Sequence, residues 1–296
     1  MLPVVSTVVL VLMLCMLLAV TGCGDDDPDR KVTSLTIGWN PWDEGIAISF
    51  LWRRILADRG YQVKMMMLDI APIYAGLARG DLELYFNAWL PVTHEDYWEE
   101  YGPRIEDLCV YFTEGTLELT VPAYVEEVNS IEDLPGNSDL FDGTIVGIEP
   151  GTGLMRVVLE DIMPGYSLED EYEVIETSTT TMLAELARAV GKKQPIVVTL
   201  WHPQWAYSVY DLKDLEDPKG LFGASENFHV LGREGFRETY PEIAGWISNF
   251  RMTDKQMADL VALVVEEYGI GREDEAITFW LEDPENQALL ESWLAP

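Results

Sequence analysis

Cysteine is scarce in this chain of 296 residues, which contains only Cys15, Cys23 and Cys109. The first two belong to an apolar amino-terminal segment, so Cys109 stands alone in the body of the chain and a disulfide there is excluded. Positive charge is also scarce. The 19 Lys and Arg residues face 52 Asp and Glu, a formal net charge of −33, and a surface of that sign repels nucleic acid. The three histidines, His94, His202 and His229, form no metal-ligand set of recognisable spacing. No Ser/His/Asp or Cys/His arrangement can be assembled either, so no catalytic residue, cofactor or metal is expected. Internal repeats are absent, and the only biased segment is a short acidic stretch at residues 24–31. The longest apolar run, residues 8–20, is shorter than the roughly 20 residues that span a bilayer.

That run suits the core of a signal peptide. It leads into Val20-Thr21-Gly22-Cys23, small residues before a cysteine, which resembles the box where lipoproteins are cleaved and acylated. Residues 1–22 are therefore expected to be a lipoprotein signal peptide, Cys23 the acylated anchor, and residues 23–33 a flexible tether. Residues 1–7 lack the Lys or Arg with which such leaders usually begin. The expected location is extracytoplasmic, on the outer face of the cell membrane. The carboxylates are spread along the chain and Arg outnumbers Lys, a surface style suited to salty surroundings, where self-repulsion is screened over a few ångströms. Solubility of an exported protein is the plainer explanation of the same acidity.

Beyond the tether, apolar periodicity alternates between strand and helix. Strands are expected at residues 35–38, 61–68 and 82–86, with helices at 44–60 and 71–79, a βαβαβ order that calls for a parallel sheet. A second set follows: strands at 144–148, 172–175 and 195–200, helices at 154–163 and 178–190. From about residue 226 the chain reads as mostly helical, with a capping box of Thr253 and Gln256 opening a helix over 253–268. Two crossovers, near 119–124 and 225–230, divide this α/β chain into a discontinuous lobe, 34–120 plus 227–296, and an inserted lobe, 121–226. Ligands of such folds sit between the lobes at the carboxyl ends of strands.

The chain holds 10 tryptophans and 13 tyrosines, more than core filling requires. Trp42, Trp89 and Trp201 each follow an expected strand, at positions facing that cleft, and they come from both lobes. A tryptophan face attracts a cation, and a cage of rings around a methylated ammonium contributes roughly 0.5–2 kcal/mol per ring without a counter-charge. Packing under a loop is the ordinary alternative, and it is the reading for Trp52, Trp98, Trp246, Trp280 and Trp293, on helical faces. Trp39 and Trp205 are close rivals of Trp42 and Trp201. The turn Glu149-Pro150-Gly151-Thr152-Gly153-Leu154 presents N–H groups at a helix start, where an anion such as a carboxylate is favoured. It lacks the Gly-Lys-Ser/Thr of a nucleotide loop, and a bare tight turn is its alternative. His94, five residues after Trp89, could donate a hydrogen bond to that carboxylate.

These strings resemble the substrate-binding proteins of osmoprotective ABC transporters for glycine betaine and proline betaine. The resemblance runs from about residue 35 to residue 293. It is carried by Gly38-Trp39-Asn40-Pro41-Trp42, Gly80-Asp81-Leu82, Ala88-Trp89-Leu90-Pro91-Val92-Thr93-His94, Val146-Gly147-Ile148-Glu149-Pro150-Gly151 and Ile196-Val197-Val198-Thr199-Leu200-Trp201-His202-Pro203. It implies a two-lobed periplasmic-binding-protein fold of the second type, with ligand between the lobes. It also implies a prism of Trp42, Trp89 and Trp201 around the trimethylammonium head, and a carboxylate held by His94 and the N–H groups of Gly153 and Leu154. The implied partners are glycine betaine, proline betaine or a similar small zwitterion, and a permease with its ATPase; the membrane is met through the lipid anchor alone. The implied function is solute capture for uptake, not catalysis. A sensor or chemoreceptor component using the same pocket, and an exported enzyme acting on methylated amines, are the other readings.

Overall fold

The computed structural model describes residues 34–295; the expected signal peptide, Cys23 and all of the tether lie outside the described residues. Among the described residues no helix is long and apolar enough to cross a membrane.

The first strand, β1 (Ser34–Trp39), turns Leu35 and Ile37 into the core. It pairs in parallel with β2 (Gln62–Met67), from Ser34 opposite Gln62 to Trp39 opposite Met67. Between them the helix Asp43–Asp58 packs Ile48, Leu51, Trp52 and Ile55 inward, an apolar stripe at helical spacing. Trp52 stacks on Phe86 with ring centroids 5.4 Å apart. The helix Ile70–Arg79 ends on Gly80 at φ 77°, a left-handed cap that glycine adopts freely. The third strand, β3 (Leu84–Leu90), is buried at every position. It runs four residues past the expected end, so Trp89 lies within the strand and not in the loop after it.

Three strands were not anticipated, two of them central and the third a short one at Leu212–Asp214. The long strand β4 (Ile105–Pro122) and the strand β9 (Glu226–Arg233) occupy the centre of the sheet, where a helical region was expected to begin at residue 226. In β4 the alternation is broken by register shifts between Asp107 and Cys109, Val110 and Phe112, and Phe112 and Gly115, which blur a period of two. In β9 only Phe228, Val230 and Leu231 are large apolar residues, set among Glu226, Asn227, His229 and Arg233, too few to show either a strand or a helix period.

The second half contains β5 (Thr144–Val146), β6 (Glu173–Ile175), β7 (Val198–His202) and β8 (Leu212–Asp214). The strand order is β2-β1-β3-β9-β4-β7-β5-β6, with β8 on β4. Pairing is parallel at β1–β2, β1–β3, β5–β6 and β5–β7, and antiparallel wherever β4 or β9 takes part. The expected parallel sheet is therefore mixed. The strand β4 joins the halves: its residues up to Gly115 pair with β9 and those from Thr116 pair with β7. Trp201 also lies inside a strand, because β7 begins three and ends two residues later than expected.

Several helices after β4 start on side-chain caps. Ser178 accepts from Thr181 N–H at 3.1 Å ahead of the helix Thr179–Lys192, and Thr152 caps Gly153–Val157, which continues as a wider π turn over Val158–Ile162. The Thr253–Gln256 capping box is present, with both reciprocal bonds, before the helix Asp254–Val261.

Candidate functional site

One cavity lies where the two halves meet. Its wall consists of Trp42, Glu44, Trp89, Thr93, Leu117, Ile148, Thr152, Leu154 and Trp201. Trp42 is the N-cap of the helix Asp43–Asp58, Trp89 ends β3, and Trp201 belongs to β7 in the other half. The three rings are 3–7 % exposed. Their close rivals face elsewhere: Trp39 packs edge-on against Phe50 at 5.4 Å, and Trp205 lies beside Tyr210 at 6.1 Å.

Trp89 reaches its place because residue 115 is glycine. A Cβ there would fall 2.3 Å from the Phe228 ring and 2.9 Å from Trp89, and those two rings stand 4.1 Å apart, centroid to centroid.

Sequence reasoning missed Glu44. Its side chain is fully buried on the cavity wall, where Oε1 accepts from Asn87 Nδ2 at 2.9 Å and Oε2 from Trp201 Nε1 at 3.1 Å. Asn87 Oδ1 in turn accepts from Trp89 Nε1 at 3.1 Å. That last bond fixes the Asn87 amide with its nitrogen toward Glu44, so residue 44 must accept two hydrogen bonds on two separate oxygens, which only a carboxylate does. One side chain thereby orients two of the three rings. Burial pushes the Glu44 carboxyl above its ordinary range, and the bond from Asn87 opposes that push. A carboxylate in the first turn of a helix reads as ordinary dipole compensation, so only its place two residues after Trp42 offered a signal. The expectation of a cage without counter-charge is corrected accordingly.

His94 is fully buried behind Trp42, with ring centroids 5.8 Å apart, and is not on the cavity wall itself. Its Nδ1 accepts from the Trp89 N–H at 3.0 Å, which puts the proton of the neutral ring on Nε2. Burial pushes the imidazole down to about 3. Nε2 is buried and has no acceptor among the described residues, so a donor is left over beside the cavity.

Leu154 lines the cavity and Gly153 adjoins it. The N–H of Met155 bonds Thr152 Oγ1 at 3.4 Å and that of Arg156 bonds Thr152 O at 3.0 Å. The N–H groups of Gly153 and Leu154 find no protein acceptor among the described residues, since first-turn N–H groups have no intrahelical partner and the Thr152 cap takes that of Met155. A Cβ on Gly153 would lie 1.6 Å from Thr93 O, so the turn meets the loop after β3 backbone to backbone.

Other bonds also cross between the halves. Tyr97 Oη donates to Gly151 O at 2.6 Å, Arg156 Nη2 to Val92 O at 2.9 Å, and Gln204 Nε2 to the buried Asp43 carboxyl. Arg156 also pairs with Asp96 at 3.3 Å. Glu226, at the start of β9, accepts from the N–H groups of Val92 and Thr93, each at 2.8 Å, and holds the loop that carries these contacts. The halves are thus closed on the cavity.

Comparison with known proteins agrees in fold and sequence. The profile of the family described as the substrate binding domain of ABC-type glycine betaine transport systems matches residues 33–283. The structure is similar to lactococcal OpuAC in its closed-liganded conformation complexed with glycine betaine: 30 % identity, 89 % of this chain and 100 % of that chain covered, TM-score 0.81. It is likewise similar to the glycine betaine/L-proline-binding protein ProX from Borrelia burgdorferi, at 27 % identity over 88 % of this chain and 97 % of that one, TM-score 0.82. The glycine betaine/carnitine transport binding protein GbuC of Listeria monocytogenes is 34 % identical over 146 residues, 49 % of this chain and 48 % of that protein. The matched stretch thus spans about half the length of that relative.

Proposed function

This chain belongs to the family of substrate-binding domains of ABC-type glycine betaine transport systems, and from that premise we propose that it captures glycine betaine or a closely related quaternary ammonium solute and delivers it to an importer. The family is one of transport binding domains, not of enzymes. The observation that carries the proposal is the meeting of Trp42, Trp89 and Trp201, from both halves, on one cavity.

A trimethylammonium group among three tryptophans exchanges weak hydration for the negative faces of the rings. The buried Glu44 carboxylate adds an attraction that water does not screen. The carboxylate end of the zwitterion takes the otherwise unused donors: His94 Nε2–H and the N–H groups of Gly153 and Leu154. Because His94 is neutral, this end is held by hydrogen bonds and not by an ion pair. The two halves act as lobes, residues 34–120 plus 227–296 and residues 121–226, and ligand shifts them from open to closed. The closed lactococcal relative with glycine betaine supports that reading. Proline betaine fits the same chemistry, the permease and ATPase are the partners that recognise closure, and acylated Cys23 is the anchor.

Tryptophan fluorescence titration tests the proposal. Glycine betaine is expected to give a saturable change, and Trp201→Ala to weaken binding by about 1–2 kcal/mol or more, since it removes a ring and leaves a void. Unchanged affinity in Trp201→Ala would sink the cage.

A further inference from the structure

We propose that Glu118, His202 and Asp214 form a binding site for a divalent cation of the zinc class, separate from the tryptophan cavity. The three residues come from three strands of one ladder. In the antiparallel pairing of β4 with β7, Thr116 faces His202, and in that of β4 with β8, Thr120 faces Asp214. Glu118 lies between Thr116 and Thr120 on the same face of β4, because strand side chains alternate with a period of two. One ligating atom from each of the three lies within 4.8 Å of the other two.

The donors are also held in place. Asp214 Oδ1 accepts from Thr120 Oγ1 at 2.8 Å and from Tyr207 Oη at 2.5 Å, while Oδ2 faces His202 Nε2 at 2.8 Å. The His202 ring stacks on Tyr207 with centroids 3.9 Å apart. Metal sites orient their ligands through outer partners of this kind, hydroxyls on the carboxylate and a fixed imidazole plane. Two carboxylates against one imidazolium leave a net negative charge, whereas a dication with a neutral imidazole balances it.

The donor set selects the ion. An imidazole nitrogen with two carboxylate oxygens suits zinc and its transition-metal neighbours, whereas calcium and magnesium take oxygen donors. Three protein ligands leave a position for water, and the side chains of His202 and Asp214, 39 % and 31 % exposed, give the ion access from solvent. Binding at Nε2 displaces the proton that this nitrogen shares with Asp214, and that proton goes to solvent. The ion would tie β7 and β8 to β4 one residue away from Trp201, and it does not depend on what the cavity binds.

The test is calorimetric titration of the EDTA-treated, dialysed whole chain with zinc chloride in a non-chelating buffer at neutral pH. One zinc per chain is expected, with no saturable heat from calcium chloride. His202→Gln and Glu118→Gln are each expected to weaken zinc binding at least tenfold. Glu118→Gln leaves the His202–Asp214 bond in place, and an unchanged thermal midpoint without metal shows that the loss is not one of folding. Absence of saturable zinc binding, or the same affinity in His202→Gln, would overturn the proposal.

Discussion

Glu44 illustrates how much one side chain can organise. The Trp201 indole and, through Asn87, the Trp89 indole both depend on its two oxygens, and among the described residues no other ionisable side chain lines the cavity wall. Glu44→Gln keeps the size and one acceptor but turns an amide nitrogen toward either Asn87 or Trp201, donor against donor. An unsatisfied buried donor costs about 1–3 kcal/mol, so this variant is expected to bind glycine betaine roughly 5- to 150-fold more weakly in an equilibrium titration. Wild-type affinity would show that ring orientation does not run through residue 44. The tryptophans could be singled out from the sequence because each follows an expected strand, although the structure puts Trp89 and Trp201 inside their strands. Asn87 could not: it is a polar residue in the middle of a wholly buried strand, a position that sequence gives no reason to expect. Nor could Glu118, His202 and Asp214, which share no local spacing and meet only because β7 and β8 both pair with β4. The sequence reading looked for a metal set in local spacing; the proposed site arises instead across strands.

Among elements, the helices and the three parallel strands at the amino-terminal end follow from periodicity and their stops, as the Gly80 cap and the Thr253 box show. The central strands β4 and β9 escaped because one is interrupted by register shifts and the other carries only Phe228, Val230 and Leu231 as large apolar residues, too few to show a period. Their position matters for function, since β4 spans both halves and Glu226 of β9 grips the loop that closes onto the Gly turn. That closure requires Gly153: a methyl group 1.6 Å from Thr93 O cannot be accommodated by rotating a side chain, because both partners are backbone. In Gly153→Ala the two halves are therefore expected to stop short of closing. Ligand affinity should fall at least tenfold while the ligand-free thermal midpoint changes by only a few degrees. Equal affinity would mean that the turn and the loop need not meet.

At the scale of the whole molecule, the proposal is that a cavity closed by direct bonds between halves holds a solute with no hydrogen to donate, with the rings and Glu44 at its cationic end and the leftover N–H donors at the other. Each end then contributes separately, and ligands that carry only one end divide the account. Calorimetric titration of the wild-type chain and His94→Ala with glycine betaine and with choline is the most direct measurement. One betaine per wild-type chain is expected, with weaker binding of choline, which lacks the carboxylate, and a loss in His94→Ala that is at least several-fold larger for betaine than for choline. Saturable binding of neither ligand by the wild type would contradict the central claim, and an equal loss for both in the variant would remove His94 from the carboxylate end.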